Sequence, residues 1–290
     1  ILDRNRRIIC AFIGTPEDPE WPTVVAEATK ALEQARLDGI RTGVFAPGDK
    51  HHRRGNFFTL AAGWSHGGGQ RCPGMLVASH PERRLLNKLF DNAYIRRICG
   101  FQSSGYRTFG PKMFKNHVDD LRALQEHIPS LKNNFTNSVY PAITFNLGPQ
   151  SATFEHVDYH NNPFGWCAIS SAGDFDPKTS AHLYLKPVKL VVEFPSGAST
   201  LIPSALIDHG NTPLAPGETR YSITQYAAGG LFRYVQYGFK TAKELLATKG
   251  GHKRKATLDG APGERARWGL NLFSKLEELV ADHAAAFGRR

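Results

Sequence analysis

The stretch Lys189-Leu-Val-Val-Glu-Phe194-Pro-Ser-Gly-Ala-Ser-Thr200-Leu-Ile202 holds two short apolar runs broken by Pro195, Ser196 and Gly197. Each run is too short for a helix and rich in β-branched residues, so both read as strands. The same rhythm recurs upstream at residues 144–147, 152–157, 166–169 and 182–185, and downstream at 220–226 and 231–235, with Gly, Pro, Asn and Asp between the runs. Eight short strands in under 100 residues predict a jelly-roll, or double-stranded β-helix, whose inward side chains can converge on one point. Outward from this core the period becomes helical. Residues 19–37 predict a helix, with Pro22 in its first turn and Gly39 beyond its end. Residues 81–99 and 112–127 predict two more helices on one sheet face, and 7–13 and 42–46 read as strands. The expected fold is α+β: one catalytic unit over 1–246, with N-terminal α/β support over 1–140 and the β-helix core over 141–240. A basic linker at 247–263 and a C-terminal helix at 264–290 follow.

Within the core, polar residues are spaced for metal chemistry. His156-Val157-Asp158 is followed by His209 and then by Arg220-Tyr221-Ser222. Two imidazoles and one carboxylate on one face of an octahedral ion are the ligand set of mononuclear non-haem iron, leaving open positions for co-substrate and O₂. His-x-Asp alone says little; its conjunction with a second His and an Arg-x-Ser pair says much more. On a strand, residues two apart share a face, so His156 and Asp158 would point together, as would Arg220 and Ser222. A guanidinium beside a hydroxyl can hold a distal carboxylate, that of 2-oxoglutarate. Arg220 follows His209 by eleven residues across the turn at 214–218, so the two are expected on neighbouring strands of one hairpin. Asn146, ahead of His156, either donates to the co-substrate or serves as a turn residue before Gly148.

The segments His156-Val-Asp158-Tyr-His160-Asn161, Ala181-His182-Leu-Tyr-Leu185 and Arg220-Tyr-Ser222-Ile-Thr-Gln-Tyr226 resemble the TET/JBP branch of the 2-oxoglutarate/Fe(II) dioxygenases, as does the stretch from Phe194 to His209. The likeness is to the short fungal members. It covers residues 140–240 well and 50–75 more loosely. It implies oxidation of methylated bases in duplex DNA by base flipping. The favoured base is 5-methylcytosine, taken to 5-hydroxymethylcytosine and further, with N6-methyladenine also open. The resemblance implies that His182 faces the co-substrate, although an ordinary strand histidine fits the spacing too. Asn161 would either bond the flipped base or serve as a turn residue before Asn162-Pro163, and Tyr226, Phe164 or Tyr159 would either stack on the base or belong to the core. Arg53 and Arg54, beside Phe57 and Phe58, have the charge and aromatic mix of a nucleic-acid surface. The pattern departs from the better-known members at Ala228, where they carry a base-stacking histidine.

Composition agrees with a folded, nucleic-acid-facing chain. Of 290 residues 41% are hydrophobic and 21% charged, and the formal net charge is +10, which favours a polyanion such as DNA. No apolar run reaches the roughly 18 residues a membrane span needs. Four scattered cysteines lack C-x-x-C spacing and suggest a reducing, intracellular and here nuclear setting. The start lacks Met, so a natural N-terminus ahead of Ile1 is expected. No segment calls for an obligate protein partner. Two rivals stand: the same chemistry on a protein or small molecule, and a catalytically silent β-barrel binding module.

Overall fold

The computed structural model describes residues 1–261 and 263–288. In chain order the elements are β1 (Ala11–Gly14), α1 (Trp21–Arg41), β2 (His51–His52), β3 (Gly55–Asn56), β4 (Phe58–Ser65), β5 (Gly74–Met75), α2 (His80–Asp91), α3 (Ala93–Phe109) and α4 (Pro111–His127). There follow β6 (Ala142–Leu147), β7 (Cys167–Asp174), β8 (Leu183–Leu185), β9 (Leu190–Val192), β10 (Ser199–Ile202), β11 (His209–Asn211) and β12 (Thr219–Tyr226). The chain closes with α5 (Gly229–Gln236), α6 (Ala242–Ala247), α7 (Gly251–Asp259), α8 (Glu264–Leu272) and α9 (Leu279–Phe287). No helix among the described residues is long and apolar enough to cross a membrane.

Two sheets face each other. The larger is antiparallel, in the order β1-β10-β7-β12-β6-β4-β5; the smaller is β11-β8-β9. Strand alternation divides the work of the larger sheet. Ile143, Phe145 and Leu147 of β6 and Tyr221 and Ile223 of β12 turn outward into a core with Val24, Ala28 and Leu32 of α1, Leu86 and Leu89 of α2, and Ile95 and Ile98 of α3. Thr144 and Asn146 of β6, with Arg220, Ser222, Thr224 and Tyr226 of β12, turn the other way, toward the smaller sheet. The register sets Ser222 directly opposite Asn146 and Thr224 opposite Thr144.

Several sequence expectations are corrected. Residues 81–99 are two helices, because the Asn92 side chain accepts from the N–H groups of Tyr94 and Ile95 at 3.0 Å and starts α3 afresh. Residues 42–46 form no strand; Phe45 folds back on α1, where Gly39 has no Cβ to obstruct its ring. Residues 152–157 form no strand; the Phe154 N–H goes to Arg54 O, and His156 makes only an isolated bridge with His209. Residues 231–235 are helical, with Leu231, Phe232 and Tyr234 buried at helical spacing against Leu121 and Leu124 of α4. Within the stretch expected as a linker, Gly251–Asp259 form α7, bracketed by Gly250 and Gly260 at positive φ and tied back by Tyr237 Oη donating to Asp259 at 2.7 Å. The C-terminal helix is two, α8 and α9, separated by a short turn at 273–278. His209 and Arg220 are not on neighbouring strands. β11 pairs with β8 in the smaller sheet and β12 with β6 and β7 in the larger, so the chain crosses between layers.

Candidate metal centre

His156 and His209 are held opposite each other by a reciprocal backbone pair, His156 N–H to His209 O at 3.0 Å and His209 N–H to His156 O at 3.1 Å. Their ring centroids are 4.4 Å apart. Each ring is oriented by the carbonyl two residues before it. His156 Nδ1–H donates to Phe154 O at 2.7 Å, and His209 Nδ1–H donates to Ile207 O at 2.8 Å. That choice of tautomer leaves both Nε2 lone pairs free. Burial, and then neighbouring His209, push His156 down to about 4, and burial lowers His209 as well. Both imidazoles are therefore neutral near pH 7, the form that binds a metal.

The Asp158 backbone N–H bonds Ser204 O at 2.9 Å, which turns its carboxylate to the same point. Its Oδ1 lies 3.8 Å from His156 Nε2. Ligand atoms of the three buried residues all fall within 4.8 Å of one another. Two imidazole nitrogens and one carboxylate oxygen at this spacing suit a divalent transition metal, so the residues fit the group that the sequence pattern implies. Asp158 is held from two further sides. Arg54 Nη2 donates to Oδ1 at 2.6 Å, and Asn161 Nδ2 donates to Oδ2 at 3.3 Å and to Ser204 Oγ at 3.0 Å.

Across the same cavity lies Arg220, 1% exposed. One of its nitrogens donates to Ser151 O, while Nε has no partner among the described residues. Burial pulls its guanidinium down to about 10, so it stays charged at neutral pH, with no counter-anion among the described residues. Asn146 donates to Ser222 Oγ at 2.8 Å beside it. The cavity thus offers three metal-ligating atoms at one wall and an unpaired cation with amide and hydroxyl groups at the other.

The remaining sequence candidates separate. Tyr226 lines the cavity, its hydroxyl accepting from Thr144 Oγ1 at 3.3 Å. Asn161 lines it too, and also a second groove that takes in Tyr159 and Phe164. Arg53 is exposed and off the cavity wall, whereas Arg54 is part of it. His182 is likewise off the wall: its Nδ1 meets Thr212 Oγ1 at 3.2 Å, and its neighbour Leu183 lines the cavity instead. Thr144, Thr224, Thr153 and Asn211 also line it and were not singled out in the sequence. The period of two along β12 could have found Thr224, since Arg220, Ser222 and Tyr226 share its face.

No family model matches the chain, and no curated protein does. Among solved structures, NgTET1 in complex with 5mC DNA superposes with a TM-score of 0.55 at 15% identity, over 79% of this chain and 75% of that one. The fold is a double-stranded β-helix. An oxidoreductase of the 2OG-Fe(II) oxygenase family from Burkholderia pseudomallei gives 0.37 at 16% identity, over 73% of this chain and 93% of its own. The viral collagen prolyl hydroxylase vCPH from Paramecium Bursaria Chlorella virus-1 gives 0.33 at 11% identity, over 76% and 96%. In this fold the two sheets enclose the site, which is why ligands from the smaller sheet's side meet a basic residue on the larger.

Proposed function

We propose that the protein is a 2-oxoglutarate- and Fe(II)-dependent dioxygenase that oxidises methylated bases in DNA, with His156, Asp158 and His209 holding the metal. The observation that carries this is the unpaired, buried Arg220 in one cavity with a convergent His-Asp-His set. A buried cation without an anion is costly unless a ligand supplies one. A dicarboxylate 2-oxoacid fits both ends, its keto-acid end toward the metal and its distal carboxylate on Arg220, with Ser222 and Asn146 beside it. When bound, iron and O₂ supply the C–H oxidation; the chain supplies position and exclusion of water.

The substrate reading rests on the sequence motif, the net charge of +10 and the polar side chains at the site. Arg54 and Asn161 point donors at Asp158 from the rim, where a flipped base would meet them. Tyr226 offers a ring inside the cavity. Ala228 stands where the resemblance leads one to expect a stacking histidine, so both 5-methylcytosine and N6-methyladenine remain substrates to test. Action on nuclear DNA follows from the same reading.

The deciding experiment loads Fe(II) and 2-oxoglutarate anaerobically and then admits air with duplex DNA carrying either base. Bases are read by mass spectrometry beside succinate. Base oxidation in step with succinate supports the proposal and selects the base. Succinate with unchanged bases moves the substrate to a protein or small molecule. Neither product would leave a silent β-barrel.

A further inference from the structure

Residues 229–267, from α5 to α8, carry nine Lys and Arg against three Asp and Glu, and so a net six of the chain's ten positive charges. Most of this charge is uncompensated. Lys255 pairs with Asp259, but Arg233, Lys253 and Arg254 are exposed and have no ion pair among the described residues. Beside these helices lies a groove of about 550 Å³. It begins at Asn161, the residue it shares with the metal-centre cavity, and runs to Arg233 on α5 and Arg265 and Trp268 on α8. Its rim carries two aromatic rings, Tyr159 at 79% and Trp268 at 42% exposure. Among the described residues, Asp120 is the one Asp or Glu in its walls, which also include the two arginines.

The groove is tied to the site loop by close packing. Gly269 faces Phe164 so tightly that a Cβ there would lie 2.0 Å from the ring. Phe164 meets Trp268 edge to face at 5.3 Å, and the Arg265 guanidinium sits 5.8 Å from the Phe164 centroid while donating to Gln236 Oε1 at 2.7 Å. A short glycine in mid-helix thus lets α8 seat against the loop that follows Asp158. A solvated helical face would need neither this docking nor exposed rings beside its charges.

We infer that this groove carries the nucleic-acid strand flanking the target base, with Arg233 and Arg265 on its phosphates and Trp268 stacked on a neighbouring base. This rests on the base-oxidation reading above. Arginine with exposed aromatic rings is the pairing that tracks a single strand: phosphates take the charge, and any base can stack. The groove opens at Asn161, so a strand leaving the cavity enters it directly.

The test uses the full chain and a fluorescent duplex with one 5-methylcytosine, and follows the dissociation constant against salt for wild type, Arg233→Glu and Trp268→Ala. Losing one phosphate contact lowers the log–log salt slope by about 0.9. Losing one stack weakens binding about tenfold with little change of slope. Thermal stabilisation by Mn(II) with 2-oxoglutarate, expected to be equal in all three proteins, checks that the metal centre is intact. The inference is overturned if wild type binds in a salt-dependent way and both variants match it in affinity and slope. If wild type binds no DNA at any salt, the nucleic-acid reading falls and takes this inference with it.

Discussion

Replacing Arg220 by Met should make the unliganded protein more stable while abolishing its response to 2-oxoglutarate. The guanidinium is 1% exposed, and burial pulls it well below its ordinary value, to about 10. At about 1.4 kcal/mol per pH unit, keeping the charge costs the folded state about 3.5 kcal/mol. Met keeps an unbranched apolar stem and removes the charge. It also strands Ser151 O, which now accepts from Arg220, at a cost of roughly 1 kcal/mol. The net gain is about 2.5 kcal/mol. A chain of 290 residues unfolds with an entropy of roughly 0.6 kcal/mol/K, so Tm should rise by about 4 °C. In wild type, Mn(II) with 2-oxoglutarate at a hundred times Kd should add about 2.7 kcal/mol, or about 4 °C. The variant should show only the metal's own shift. Differential scanning fluorimetry with and without the 2-oxoacid reads both effects. A variant that melts below wild type and still responds to the 2-oxoacid would refute the idea that Arg220 awaits an anion.

Three further outcomes are expected. His156→Ala and His209→Ala should each weaken Co(II) binding by more than about 100-fold in a visible-absorption titration, since even an outer partner of a ligand is worth 10- to 100-fold, whereas exposed His160→Ala should bind as wild type does. Gly63→Ala should destabilise by about 3 kcal/mol in urea, because Gly63 sits at φ +112° and a Cβ would lie 2.0 Å from Pro141 O; a loss under 1 kcal/mol would show that the β4–β6 pairing can yield. The third concerns pH. Burial drives His117 from 6.5 to about 3, so as pH falls below 6.5 the unfolded chain takes the proton first. The stability due to neutral His117 is therefore full above pH 6.5 and drains toward pH 3, by about 1.4 kcal/mol per unit. Between pH 7 and 4.5 wild type should lose roughly 2–3 kcal/mol more than His117→Phe, and equal losses in urea titrations would remove His117 from the account.

Legibility in the sequence followed the physics of each segment. Residues 220–226 could be read because period-two alternation survives intact: one face meets the helices, the other the cavity. Residues 231–235 could not, because a short apolar run satisfies a buried strand and a helix equally, and only contact with α4 decides. The His-Asp-His grouping was legible as residue chemistry, but the route was not. Eleven residues suit a hairpin, and nothing local says that the chain instead crosses to the other sheet. Arg54 was read as a nucleic-acid contact from its neighbours; its ion pair with Asp158, 104 residues away, has no local signature. The linker reading of 247–263 failed because glycine and charge suggest flexibility, whereas here glycines at positive φ delimit a helix.

One consequence of the layered site reaches beyond single side chains. The metal-ligating atoms lie toward the smaller sheet and Arg220 projects from the larger, so an acid that touches both must span the gap between layers. Packed sheets keep that gap near 10 Å by the bulk of every residue in it. The architecture itself then acts as a ruler for chain length. An acid too short to reach both walls forfeits one contact, and one too long must buckle, whatever residue stands at any one position. Selectivity of this kind is hard to change by substitution at the rim, and easier to change by altering how the sheets pack.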